Sequence, residues 1–381
     1  MFWSLDGLLC HAAGHLRPAL ADRAALARAR ALLGRLPAAL SDWVHLEARL
    51  RGPASRLDVI VRVDARGRSV LTEACATAHP ARHLAPALRA LPAWSRAERF
   101  CHAWSDPAST LHRSIESLWL EFDLDDRDRD SHPRFFADLG ASARRQLAGD
   151  DLVRLVCDVQ ASLAERPLAP RTLRLLRHCL ASAPPRASVL SVGLPHDDRG
   201  ERLRLCFVGL ADSQIDGYLR AIGWCPGRRE ADATRARLAS LAGAFRRPDA
   251  AISMIHVDLD GGAIGPRVGL ELAFARRPQF SAAVAERGAL EWLTTGLACD
   301  RSRCDALLAW PGCSRVTLPH ELWPSVMVRR LNHVKVVVDP VAQDIDVKAY
   351  LCAYRPGGRI AREASAPRSA MPWSQSPASI Q

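Results

Sequence analysis

Lysine is almost missing from this chain. Of 52 basic residues in 381, two are lysine, Lys335 and Lys348, and the rest are arginine. The arginines form no polybasic run; most are spread through Ala/Leu-rich segments such as 24–33. No stretch interleaves basic and aromatic residues in the manner of a nucleic-acid module, so no nucleic-acid partner is expected. Tyrosine is nearly as scarce, with three in all. The 11 cysteines include no Cys-x-x-Cys, which excludes the commonest zinc and redox motifs. Their odd number favours free thiols. Cys299, Cys304 and Cys313 have no zinc spacing, and His11 and His15, beside Cys10, lack an acidic partner. No metal site is assigned from them.

Other absences narrow the function further. No apolar run approaches the ~20 residues of a membrane span. The start, Met1 to Asp6, has no basic region ahead of an apolar one, so no secretion signal is read and a cytoplasmic location is expected. No Gly-x-Ser-x-Gly elbow occurs, and no glycine-rich loop leads from a strand into a helix. Gly261-Gly262 and Gly265-Pro266 read as turn chemistry. Cys206 and Cys352 fall on polar strand faces near His256 or His333, but no local signature marks a Cys–His nucleophile.

What is present is an apolar fraction of 48%, enough for a sizeable core, and a net charge of +11. That charge favours acidic partners, and a small anionic substrate fits it as well as a polynucleotide does. Residues 1–40 read as a helical segment. Strands are predicted at 44–50, 57–63 and, more weakly, 69–72. Helical pieces follow at 81–91 and 95–104, then a strand at 117–124. The acidic run Asp123–Asp130 comes next, a candidate for Mg2+ through Asp125-Asp126, although Arg127 and Arg129 favour a solvated loop. Residues 133–182 read as helical, interrupted at Gly149 and Pro167–Pro170.

Three hairpins separated by helices complete the pattern: 188–208, 252–274 and 333–354. The helices are read at 213–222, 231–245, 279–296 and 301–309. Tryptophans at 292, 310 and 323, at helix ends and loops, read as packing anchors or as the rim of an opening to the lumen. Residues 355–381, rich in Pro, Ser, Ala and Gly, read as a flexible tail, leaving 1–354 as one α+β domain.

The strands alternate. Leu118/Leu120/Phe122, Leu203/Leu205/Phe207 and Val334/Val336/Val338 mark aliphatic faces. The opposite faces collect Trp43, His45, Glu47, Arg49, Asp58, Arg62, Trp119, Glu121, Arg202, Arg204, His256, Glu271, His333, Lys335, Lys348, Tyr350 and Tyr354. Helices between the hairpins can cover the aliphatic faces. The other faces carry too much charge for a dry core. A closed barrel of about ten antiparallel strands, with helices outside and a polar lumen, satisfies both demands and removes the exposed edges. An open sheet with one solvated face is the alternative.

Hairpins separated by helix pairs around a polar lumen resemble the ABBA, or PT-barrel, prenyltransferases, over residues ~40–354 and in topology only. The Lys348-Ala-Tyr350 pattern and the pair Arg202-Leu-Arg204 carry the rest of the likeness. The resemblance implies transfer of an allylic group from an isoprenoid diphosphate to an aromatic small molecule or peptide side chain. It implies Arg202, Arg204, Lys335 and Lys348 on the diphosphate, with Arg62, His256 and Trp119 also lining the substrate site. Tyr350 and Tyr354 would shield the allylic cation, and Glu121 or Glu271, with Glu47 a further candidate, would act as base. No cofactor is certain under this reading; Mg2+ is the one considered. The rival is a non-catalytic accessory protein that holds a peptide or metabolite on a polar sheet face for a partner enzyme.

Overall fold

The computed structural model describes residues 4–52, 56–72, 84–124, 132–164, 166–194, 202–224, 250–274, 293–316, 325–341 and 344–356. Among these, the strands are β1 (Trp43–Arg49), β2 (Leu57–Val63), β3 (Ile115–Phe122), β4 (Arg134–Leu139), β5 (Ser188–Leu194), β6 (Arg202–Val208), β7 (Ala250–Asp260), β8 (Ala263–Phe274), β9 (Gly312–Val316), β10 (Ser325–Asp339) and β11 (Asp344–Tyr354). β1 to β8 pair antiparallel in chain order. β10 pairs with β8 and β11, and β11 returns to β1, so ten strands close into a barrel. β9 is an additional strand on the first part of β10: Ser325–Arg329 face β9, while His333–Val338 face β8.

Alternation decides which side each residue takes. Val44, Leu46 and Ala48 of β1, Val59 and Val61 of β2, and Leu203, Leu205 and Phe207 of β6 point outward and are fully buried. They join one continuous core with residues of the surrounding helices, among them Leu9, Leu33, Trp94, Phe100, Trp104, Val156 and Leu176. The helices therefore sit outside the barrel. α1 (Leu5–Ala13) and α2 (Arg23–Leu33) start where Ser4 and Asp22 accept backbone N–H groups of Gly7 and Ala25 at 2.9 and 2.7 Å. Α pair of positive φ angles, 57° at Gly261 and 88° at Gly262, makes the two-residue turn expected between β7 and β8.

Four expectations are corrected. Gly265-Pro266, read as turn chemistry, lies inside β8, and only Gly261-Gly262 makes the turn. Residues 69–72 are not a strand but the end of α3 (Ala65–Thr72). Asp64 accepts from the N–H groups of Arg66 and Gly67 at 2.9 and 3.0 Å, and this cap outweighs the short β-like run. Within the helical reading of 133–182, Arg134–Leu139 is a strand. Phe135, Ala137 and Leu139 face outward and Arg134, Phe136 and Asp138 inward, and the strand supplies β3 with its hairpin partner. Finally, β9 and the first part of β10 occupy a region read as loop and helix end. The helix expected at 231–245, most of that at 279–296, and the tail from 357 lie outside the described residues.

Gly67 shows how closely α3 is seated. A Cβ there would lie 2.1 Å from the carbonyl oxygen of Leu40, a backbone atom that cannot swing aside. Gly67→Ala is expected to destabilise the fold by about 1–3 kcal/mol, the usual cost of overpacking, as read from urea unfolding midpoints.

Candidate functional site

Closure of the barrel turns the polar faces of ten strands toward one lumen, which divides along its length. At one end arginines and carboxylates alternate between neighbouring strands. Arg204 grips Asp258 with two hydrogen bonds of 2.6 and 2.9 Å. Arg134 reaches Glu121 at 2.9 Å and Asp123 at 3.2 Å. Arg49 pairs with Asp346, and at the more exposed rim Arg202 pairs with Asp260 at 2.8 Å. Arg204–Asp258, Arg202–Asp260 and Arg134–Glu121 are directly opposed across strands, so the β-register sets their spacing, while Arg49 reaches Asp346 on the diagonal.

The other end is richer in aromatic and aliphatic side chains, with Arg62, Arg330 and Asp138 set among them. Trp43 stacks on Tyr354 with ring centroids 4.1 Å apart, and Arg330 lies over the Tyr354 ring at 5.4 Å. Trp119 meets the edge of His45 at 5.0 Å, lies under Arg62 at 5.7 Å and donates its indole N–H to Asp138 at 2.6 Å. Leu190, Cys206 and Met254, with Phe136 and Val208, form a small apolar cluster on the far wall.

Between the two ends a bonded belt crosses the lumen. Glu47 accepts the Tyr350 hydroxyl and pairs with Lys348. His333 stacks on the Tyr350 ring at 4.0 Å and brings Nε2 to 3.4 Å from Glu271. Glu271 also holds Nε2 of His256 at 2.6 Å. On the other side of that ring, Nδ1 lies 3.2 Å from both Lys335 Nζ and Cys206 Sγ.

Burial and charge pull these protonation states apart. Burial would raise the Glu47 carboxyl, but Lys348, the Tyr350 hydroxyl and Lys335 together hold it below the usual carboxylate range. Asp58, its cross-strand neighbour, is pushed up to about 8 by burial and then by the charges of Glu47 and Asp123. Burial also raises Asp138, to about 6 despite the Trp119 bond. Burial lowers His45 to about 3 and His333 to about 4, and it lowers Lys335, which also faces Arg204. The lumen thus holds an ionised Glu47 beside a protonated Asp58.

The residues singled out from sequence are nearly all inside. Glu121, Glu271, Tyr350, Tyr354, Arg204, Lys335, Lys348, Arg62, His256 and Trp119 line the lumen, and Lys335 is directly opposite Lys348. Arg202 faces the same way but is half exposed at the rim. The two tyrosines are not together: Tyr350 belongs to the belt and Tyr354 to the aromatic end. The expected cluster of cations takes a different form, because Arg49, Arg134, Arg204 and Lys348 each rest on a carboxylate. Arg134, Phe136 and Asp138 escaped the sequence reading because β4 was taken as helix; their alternation was the available signal. Among the described residues no group of three or more His, Cys, Asp or Glu side chains is arranged to hold a metal ion, and residues 125–130 of the acidic run lie outside them. No helix among them is long and apolar enough to cross a membrane.

Comparison with known proteins gives no matching family model and no curated protein of similar sequence.

The raised Asp58 carboxyl makes stability depend on pH. Between about 4 and about 8 the folded chain holds a proton that the unfolded chain has lost, so this group's contribution falls as pH rises through that window. Its slope is at most about 1.4 kcal/mol per pH unit. Asp58→Asn keeps the shape of the neutral acid, and urea unfolding at pH 5 and pH 8 is expected to show a smaller loss for the variant than for the wild type.

Proposed function

We propose that the protein transfers an allylic group from an isoprenoid diphosphate to an aromatic small molecule or peptide side chain inside the barrel. The observation that carries this reading is the division of the lumen. A charged end meets an aromatic and aliphatic one, and an allylic diphosphate has the same two parts. The diphosphate head lies with Arg204, Lys335 and Lys348, with Arg202 at the rim. A diphosphate leaving group calls for several cationic donors, and these come from β6, β10 and β11, with β7 and β8 between the first two. The allylic carbon then faces the belt, where the rings of Tyr350 and His333 are stacked, and the chain extends toward Trp119, Trp43 and Tyr354. Aromatic faces stabilise a developing carbocation there.

The acceptor must lose a proton after the new bond forms. Glu121 is committed to Arg134. Glu271, facing the belt, and Glu47, already ionised, are the carboxylates placed to receive it. Arg204 and Lys348 already have carboxylate partners, so the donor must share those cations. Mg2+ carried in with the diphosphate would lessen the added negative charge. Closure of the sheet, with Lys335, Lys348 and Arg204 turned inward, favours this reading over an open binding face. The pairing of the cations favours the rival, a protein that holds a peptide or metabolite without turning it over.

Thermal unfolding with dimethylallyl and geranyl thiodiphosphates, each with and without Mg2+, separates the two. A donor at 100 times its dissociation constant is expected to add about 2.7 kcal/mol of stability. No shift with any donor moves the reading to the accessory protein. The choice of variant matters, because Lys348→Ala leaves the buried Glu47 carboxylate unpaired and is expected to cost about 3–5 kcal/mol by itself. The double variant Glu47→Gln/Lys348→Met removes both charges. It is expected to stay folded, by circular dichroism, while losing the donor-dependent shift.

A further inference from the structure

Allylic transfer gives no role to Cys206, yet the fold builds a site around it. Cys206 on β6 is directly opposite His256 on β7, and the thiol Sγ lies 3.2 Å from His256 Nδ1. His256 Nε2 lies 2.6 Å from Glu271 on β8. With the carboxylate accepting at Nε2, the proton of a neutral imidazole belongs on Nε2 and the lone pair on Nδ1, toward the sulfur. Lys335 of β10 donates to the same Nδ1 at 3.2 Å, so the ammonium and the thiol share that lone pair, and the ammonium must turn from it to the oxyanion as the thiol proton is taken up. Gly269 makes this approach possible: a Cβ there would lie 2.9 Å from Lys335 Cε and 3.2 Å from His256 Cβ. All four side chains are buried. A nucleophile, a base, a group that orients the base and a nearby cation make up the geometry of covalent acyl transfer.

We infer that Cys206 is a nucleophile toward activated acyl groups, esters or thioesters, with His256 as its base, Glu271 as the positioning residue and Lys335 facing the oxyanion. The thiol proton passes to His256 Nδ1 as the sulfur bonds to the carbonyl carbon. The tetrahedral oxyanion forms beside the Lys335 ammonium. On its collapse the bond to the leaving group breaks, and the leaving oxygen or sulfur takes the proton from His256. Water then attacks the thioester, giving its proton to the same nitrogen, and the acid is released as the thiol re-forms. The apolar side chains of Phe136, Leu190, Met254 and Val208 pack against Cys206, so an acyl group on the sulfur would meet apolar neighbours. Burial holds the resting thiol protonated, opposed chiefly by Lys335 and Arg204, so attack depends on the base.

The test uses the full chain and p-nitrophenyl acetate, with no isoprenoid present, so it stands apart from the allylic-transfer reading. Peptide mass spectrometry follows acetylation at each cysteine. Cys352, also buried on the lumen face, is the internal control. Cys206 is expected to be acetylated at least tenfold faster than Cys352, and His256→Asn is expected to remove that advantage. The groups facing His256 are Cys206 and Arg204 on β6, Asp258 on β7, Glu271 on β8, His333 and Lys335 on β10, and Lys348 on β11. Among them Glu271 alone bonds the ring at Nε2, and its charge also holds the Cys206 thiol up, so Glu271→Gln is expected to move the Cys206 acetylation profile to lower pH without moving that of Cys352. Equal rates at Cys206 and Cys352 in the wild type, or labelling confined to the exposed Cys10 and Cys313, would overturn the inference whether or not the variants fold.

Discussion

A closed barrel wrapped in helices leaves neither face of a strand to bulk water. The outer faces meet this demand with aliphatic side chains under the helices. The inner faces meet it by matching charge. An unpaired buried charge costs several kcal/mol, so an arginine in the lumen is tolerable only with a carboxylate beside it. The cross-strand pairs Arg204–Asp258 and Arg134–Glu121 answer this requirement through register alone. The same pairing limits what can bind, since any anion entering the lumen competes with carboxylates already in place. Affinity there comes from shared cations, and specificity from the aromatic end.

The belt follows from the same constraint where pairing cannot be one to one. Glu47 faces Lys348, Tyr350 and Asp58, and the low-dielectric interior answers by keeping Glu47 ionised and Asp58 protonated. His45 and His333 stay neutral because burial disfavours their charged form, for His333 by more than the Glu271 carboxylate favours it. Environments that push similar groups apart in this way are the usual basis of acid and base roles. This is a physical reason to regard the belt as the chemical centre of the molecule.

Much of the fold was legible in sequence because alternation in β2, β3, β6, β7, β8 and β11 separates aliphatic from polar residues cleanly. β4 was not legible. Six residues, Arg134–Leu139, followed by a long helical stretch are outweighed in any window wide enough to show helical period. The inward residues could be named for the same reason the strands could. Their partners could not, because pairing depends on which strands are neighbours around the ring. Glu47 illustrates this: sequence places it on a polar face, but only the return of β11 to β1 brings Lys348 and Tyr350 onto it. The Cys206–His256 pair likewise depends on register between β6 and β7, and no spacing along the chain announces it.

That return of β11 to β1 also sets a timetable. Arg49 and its partner Asp346 are separated by 297 residues. At the usual pace of a ribosome, roughly 5–20 residues per second, about 15–60 s pass between synthesis of the first strand and arrival of the last. Through that interval β1 has one open edge and a row of charges awaiting their counterparts. A nascent barrel of this kind matures as a whole at the end of translation, and its early strands depend on shielding by the helices already made, or by chaperones, to avoid pairing with another chain.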